Sequence, residues 1–272
     1  MTTSTPSLAH AAGSGSVRPR KPRPRWTTYA AVVVVAALTL WSARGVEFTL
    51  EPLLANYDRG VDVLRRFLHP DWAFVWASWP AWAETLQVAV LAATVGCAIA
   101  LVLALLASQV TASPWVYRTV KIVLAVQRSL PDVAWALLAV AVVGVGPLAG
   151  LLALVAFNIG VAAKLTAESI DAVDPGPVEA ARAVGADPVQ RATTAVVPQV
   201  MPNFLSYCFY VFELNIRASL VLGAVGAGGI GTVIIVQTSR FQFENVAGII
   251  YVFVLVVFVL DQLSRWLRRR LI

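Results

Sequence analysis

Residues 86–107 form a run of apolar and small side chains without one charge, close to the roughly twenty residues that an α-helix needs to cross a bilayer. Nothing else in the sequence restricts the fold as strongly. A backbone in hydrocarbon must satisfy its own hydrogen bonds, and only helices and closed barrels do so. Runs at 27–43, 120–144, 147–163, 201–222 and 246–263 repeat the pattern, so the sequence predicts an all-α integral membrane protein with six transmembrane helices. Composition agrees, since 58% of the 272 residues are hydrophobic and 13% are charged.

The run at 27–43 is only just long enough to span, with Trp26 and Trp41 near its ends. It resembles a secretory signal, but cleavage after Ala43 would place Trp41 where a small residue is required, so a retained span is expected. Ahead of it, residues 1–25 are rich in Ser, Thr, Pro and Gly and end in Arg18, Arg20, Lys21, Arg23 and Arg25, which predicts a disordered basic tail. Beyond the span, alternating charges accompany Trp72, Trp76, Trp79 and Trp82, the composition of a helix lying in the outer membrane interface. The expected organisation is therefore a tail at 1–25, a first span with its interfacial segment at 26–80, and a core at 81–272. In the core, Arg128-Ser129-Leu130-Pro131-Asp132 interrupts the third run, and the proline predicts a kinked span.

Six spans place both termini on one side. Arg118, Lys121, Lys164, Arg182, Arg191 and the two terminal clusters, the second being Arg265, Arg268, Arg269 and Arg270, then share that side. Only Arg44, Arg59, Arg65, Arg66 and Arg240 lie opposite, which makes the shared side cytoplasmic. The net charge of +6 sits mainly in those clusters, so nucleic acid is not an expected partner. Cys97 and Cys208 lie in separate apolar runs, and no disulfide, metal or redox role is expected of them. No histidine or acidic cluster within the spans suggests a catalytic site.

A polar interlude at 169–198 falls on the cytoplasmic side. Asp174-Pro175-Gly176 breaks the preceding helix, Pro177 suits a first turn, and Gly185 suits a left-handed cap, which predicts a short helix over 177–184. Asp187-Pro188 then reads as a fresh N-cap. Glu179, Ala180, Ala181, Gly185 and Pro198 fall at the spacing of the cytoplasmic signature of ABC importer permeases, which this loop resembles; Ala195 and Val197 stand where the signature has Ile and Leu. The resemblance implies a type I importer permease fold of the methionine-permease kind. It also implies that 166–198 is a coupling loop whose helix docks on an ATP-hydrolysing subunit.

In the fifth run, Asn203, Ser206, Tyr210, Glu213 and Arg217 recur at steps of three and four and so share one helix face. A polar stripe at membrane depth is expected to line a pathway or the bundle interior, and its ionisable groups are costly unless paired or hydrated. Glu213–Arg217 and Arg128–Asp132 are both opposite charges four residues apart. A pathway role is expected above all of Arg217, since guanidinium groups pair with phosphorus oxyanions, and Arg128 joins it as a second candidate. The sequence around Gly226, Gly228, Gly229 and Gly231 matches a dinucleotide fingerprint formally but lacks its strand-turn-helix context, so these glycines are expected to serve as a gate or hinge, or to allow tight helix packing.

Gly144-Val-Gly-Pro-Leu-Ala-Gly, Val197-Pro-Gln-Val-Met-Pro, Phe212-Glu-Leu-Asn-Ile-Arg and Val225-Gly-Ala-Gly-Gly-Ile-Gly together resemble the phosphonate importer permeases, over roughly 81–272. That resemblance implies a homodimer with the pathway between protomers, a cytoplasmic ATPase subunit that binds the ATP and magnesium, and a periplasmic or lipid-anchored phosphonate-binding protein. The chain itself would hold no cofactor. Phosphite, phosphate esters, methionine-type solutes and osmoprotectants are alternative cargoes, and an ATP-independent secondary transporter is the alternative mechanism.

Overall fold

The computed structural model describes residues 26–46 and 49–271, and the basic tail at 1–25 lies outside them. All regular structure among the described residues is helical. The described residues divide into two compact units, one ending at Asp58 and the other beginning at Arg59. In the smaller one, α1 (Trp26–Gly45) carries the first apolar run and α2 (Glu51–Ala55) follows it. Helix α3 (Tyr57–Phe67) crosses the division between the units.

The larger unit begins with the Trp-rich segment. Helix α4 (Trp72–Ala77) is capped by Asp71, whose carboxylate accepts from the Phe74 N–H at 3.0 Å. The segment is fastened to α13 (Phe243–Leu271): the Asp71 N–H donates to the Glu244 carbonyl at 3.2 Å and the Tyr251 hydroxyl to the Phe67 carbonyl at 2.8 Å. Trp72, Trp76 and Trp79 stay exposed, as tryptophans at a lipid boundary do.

Among the described residues, five helices are long and apolar enough to span a membrane, namely α1, α5 (Trp79–Leu106), α8 (Pro147–Asp171), α11 (Val197–Ala224) and α13, the fifth run entering through a short helix ahead of α11. The bent pair α6 (Pro114–Ser129) and α7 (Asp132–Val143), whose axes meet at 89°, passes the same test only when its two helices are taken together, as a broken span or a re-entrant loop. The bend is far sharper than a kinked helix. Leu130 and Pro131 both adopt extended backbone, with ψ of 130° and 156°, because proline disfavours the helical region for the residue before it and has no N–H to continue the ladder.

Helices α5 and α8 pack on each other, and their buried residues are mostly small: Ala89, Ala92, Ala93, Gly96, Cys97 and Ala100 on α5, and Ala149, Ala153, Ala162 and Ala163 on α8. A Cβ on Gly96 would come within 2.6 Å of the Asn158 Cβ. Apolar attraction does not distinguish helix from lipid, so close backbone approach through small residues is what holds such a pair together. Helix α11 packs on both, and short α12 (Gly229–Ser239) folds back against α11.

Candidate functional site

The polar interlude forms α9 (Pro175–Ala183), α10 (Pro188–Arg191) and a π-helical turn over Ala192–Val196. Helix α9 starts two residues before the position read from the sequence, because the Asp174 carboxylate accepts the Gly176 N–H at 3.0 Å and Pro175 takes the first position. It ends with Gly185 at φ +82°, while the Ala186 N–H returns to the Ala181 carbonyl at 3.0 Å, closing a Schellman cap. Asp187 and Gln190 then make a reciprocal capping box at 2.8 and 3.0 Å. The π turn precedes Pro198, which cannot donate to the ladder.

One face of α9 is anchored, with Val178 buried and Ala181 packed against the same core. The other face presents Glu179, Ala180 and Arg182 to solvent, and Gly185 and Pro198 are exposed as well. Beside them stand Val184 at 85% and Val189 at 71% exposure, two apolar side chains on a polar loop that the sequence reading passed over. Together they make a small apolar and charged platform suited to a protein partner.

The loop is wired to α11 through Gln199, whose Oε1 accepts the Asp174 N–H at 3.0 Å while its Nε2 donates to the Ala195 carbonyl at 2.6 Å. Asp174, Gln199 and Asn203 line one open cavity of 380 Å³ with Glu168, Ser169 and Tyr207, the last two hydrogen-bonded at 2.8 Å. The N-terminal end of the stripe and the base of the loop that carries α9 therefore share one polar space. Higher on α11, Tyr210 and Arg217 are exposed, Ser206 is half-buried and Glu213 is buried, its carboxylate paired with the Arg217 guanidinium. The remaining faces are not uniformly apolar: Asn215 is buried and donates to the Ala89 carbonyl at 3.2 Å.

At the other end of α11 the four glycines take separate roles. A Cβ on Gly231 would fall 2.4 Å from the Ser219 carbonyl oxygen, so Gly231 is where α12 touches α11. Gly226, Gly228 and Gly229 have φ of +85°, +81° and +70°, forming the turn into α12. That turn is pinned by two residues of α5: Glu84 Oε1 accepts the Gly229 N–H at 2.7 Å and Thr85 Oγ1 the Ile230 N–H at 2.8 Å. A carboxylate on the first N–H groups of a helix is the charge-assisted arrangement that stabilises a helix start. The sequence shows Glu84 and Thr85 only as polar residues at the mouth of a span, and nothing local ties them to a segment 145 residues away. We expect Glu84→Ala to weaken this closure by about 1.5–3 kcal/mol, read as faster proteolysis within 225–240, and Glu84→Gln to lose only part of it.

Arg128 and Asp132 are not paired. The break at Pro131 separates them, Asp132 Oδ1 accepts its neighbour's N–H from Val133 at 2.8 Å, and Arg128 Nε donates to the Leu124 carbonyl at 3.3 Å. Cys97 and Cys208, by contrast, come together across α5 and α11, thiol against thiol, though both are free. Their helices meet only in the tertiary fold, which sequence spacing does not report.

Residues 100–272 match the family described as "Binding-protein-dependent transport system inner membrane component". The chain is 40% identical over 187 residues to the phosphite transport system permease protein PtxC of Stutzerimonas stutzeri, covering 68% of each. It is 36% identical over 191 residues to the phosphate-import permease protein PhnE of Mycolicibacterium smegmatis, covering 70% of this chain but 36% of that protein. Among solved structures it is similar to a chain of the inward-facing MetNI methionine ABC transporter, at a TM-score of 0.65 and 21% identity, covering 74% of this chain and 99% of that one.

Proposed function

Because this chain belongs to the binding-protein-dependent inner membrane transport components, we propose that it is the permease subunit of an ATP-driven importer for phosphonates, phosphite or a related phosphorus oxyanion. As an ABC importer permease it is a multi-pass membrane component without a catalytic site of its own. The observation that carries the mechanistic part is the platform on α9, in which Val184, Val189 and Glu179 are exposed on a loop whose base is bonded to α11 through Gln199. A partner gripping that platform would move α11 directly.

In this reading two copies of the chain face each other with their α11 stripes lining the pathway between them, and both termini are cytoplasmic. A binding protein delivers solute at the outer face, beside the turn held by Glu84 and Thr85. ATP and magnesium are held by the ATPase subunit, whose closure draws the two coupling loops together and opens the stripe outward; hydrolysis resets it. The substrate class follows the relatives, which carry phosphite and phosphate in their names. The test is ATPase activity of the complete complex, reconstituted with its ATPase subunit and binding protein, with and without methylphosphonate or phosphite. Stimulation by either is expected. Stimulation by methionine or glycine betaine alone would keep the architecture and overturn the cargo.

A further inference from the structure

We infer that the break between α6 and α7 is a holding site for the oxyanion group of the cargo, with Arg128 as its cationic ligand; this rests on the importer reading above. A cavity of 240 Å³ opens at the break, lined by Gln127, Arg128, Trp135, Phe157 and Gly160, among others. Its depth is fixed by what it packs against. Gln127 Nε2 donates to the Ala156 carbonyl and Gly160 lies against the Arg128 side chain, both near the midpoint of α8 (Pro147–Asp171). Arg128 stands exposed in the last turn of α6, level with the middle of α8, and a guanidinium at that depth is costly unless it is paired or hydrated. Among the described residues, Arg128 makes no ion pair.

Arg217 differs on this point. Its guanidinium is already bound to Glu213, which is buried, so an anion arriving there would have to displace a carboxylate and leave it without its counter-charge. Arg128 has its Nη groups free to make the paired N–H contacts that a phosphonate or phosphite offers. Trp135 and Phe157 give the cavity an apolar wall for a short alkyl substituent, and Gln127 supplies an amide beside it. Broken helices at mid-membrane are where transporters place charged cargo, because the interruption opens room and exposes polar groups that a continuous helix hides. Asp132 does not oppose this directly, since its carboxylate is turned onto the Val133 N–H in the first turn of α7.

Gly160 makes the site sterically specific. A Cβ there would lie 2.8 Å from Arg128 Cγ and 3.4 Å from Gln127 Oε1, so alanine would push the arginine out of its position without removing its charge.

The test uses the complete complex in proteoliposomes. Phenylglyoxal, an arginine-selective reagent, is applied with and without millimolar methylphosphonate, and modification of Arg128 is followed by peptide mass spectrometry. Methylphosphonate is expected to slow modification of Arg128 about tenfold and to leave that of Arg118 unchanged. In parallel, ATP-driven methylphosphonate uptake is expected to fall about tenfold in Arg128→Gln and Gly160→Ala, to be partly rescued in Arg128→Lys, and to be unaffected in Arg118→Ala. Uptake by the wild type with Arg128 modified at the same rate in both conditions would overturn the site and leave the transport reading standing. Protection of Arg128 without uptake of any phosphorus oxyanion would do the reverse.

Discussion

Gly185→Arg is expected to abolish ATP-driven uptake and substrate-stimulated ATP hydrolysis while the permease still folds and assembles. Gly185 closes α9 at φ +82°, and a Cβ there would meet nothing within 4 Å, so the position faces open space. The fold therefore bears only the left-handed strain of a non-glycine residue, about 1 kcal/mol, which a membrane core of this size tolerates. The docking platform bears the rest. A long cation would stand between Val184 and the capping box of Asp187, on the surface that a partner must approach closely. Gly185→Ala separates the two contributions, since it carries the same backbone strain without the bulk and is expected to retain most uptake. The measurement is uptake in proteoliposomes beside size-exclusion chromatography of the complex. Full transport by Gly185→Arg would show that ATP-driven motion enters elsewhere.

Gly223→Val is expected to have the largest effect on stability. A Cβ at Gly223 would fall 2.3 Å from the Gly231 carbonyl carbon and 2.4 Å from the Thr232 nitrogen, both backbone atoms that cannot rotate away. Helix α12 would have to lift from α11, disturbing the turn that Glu84 and Thr85 hold, so a cost of at least about 1–3 kcal/mol is expected. Thermal unfolding of the detergent-solubilised protein reads it. Gly60→Ala is the matching control, because a Cβ there meets nothing within 4 Å, and it should leave the midpoint unchanged or slightly raised. Equal behaviour of the two variants would mean that the α11–α12 contact adds nothing to stability.

Much of this architecture could be read from the chain because bilayer thickness converts length and hydropathy directly into spans. The runs at 147–163, 201–222 and 246–263 lie within observed helices, and the run at 86–107 overruns the end of α5 by one residue; the helices extend beyond the runs elsewhere, where polar residues continue them towards a headgroup region. The shape of the loop between α8 and α11 was legible for a different reason. Its boundaries are set by local chemistry, the caps at Asp174 and Asp187 and the left-handed Gly185, and these act over four or five residues whatever surrounds them.

What sequence could not supply are pairings between helices far apart in the chain. Two opposite charges four residues apart suggested that Arg128 and Asp132 neutralise each other, but that spacing means contact only on a continuous helix, and Pro131 ends the helix between them. The same spacing on unbroken α11 does bring Glu213 to Arg217. Likewise, Cys97 and Cys208 become neighbours only because α5 packs on α11, and Glu84 finds Gly229 only because α12 folds back over the mouth of α5. By itself, then, the sequence determined most of the apolar helices and the form of the loop between α8 and α11, since each depends on a solvent boundary or on bonds within one turn. The tertiary structure alone decided what holds the turn into α12 closed and which thiols meet, because both depend on contacts that small-residue packing creates between distant helices.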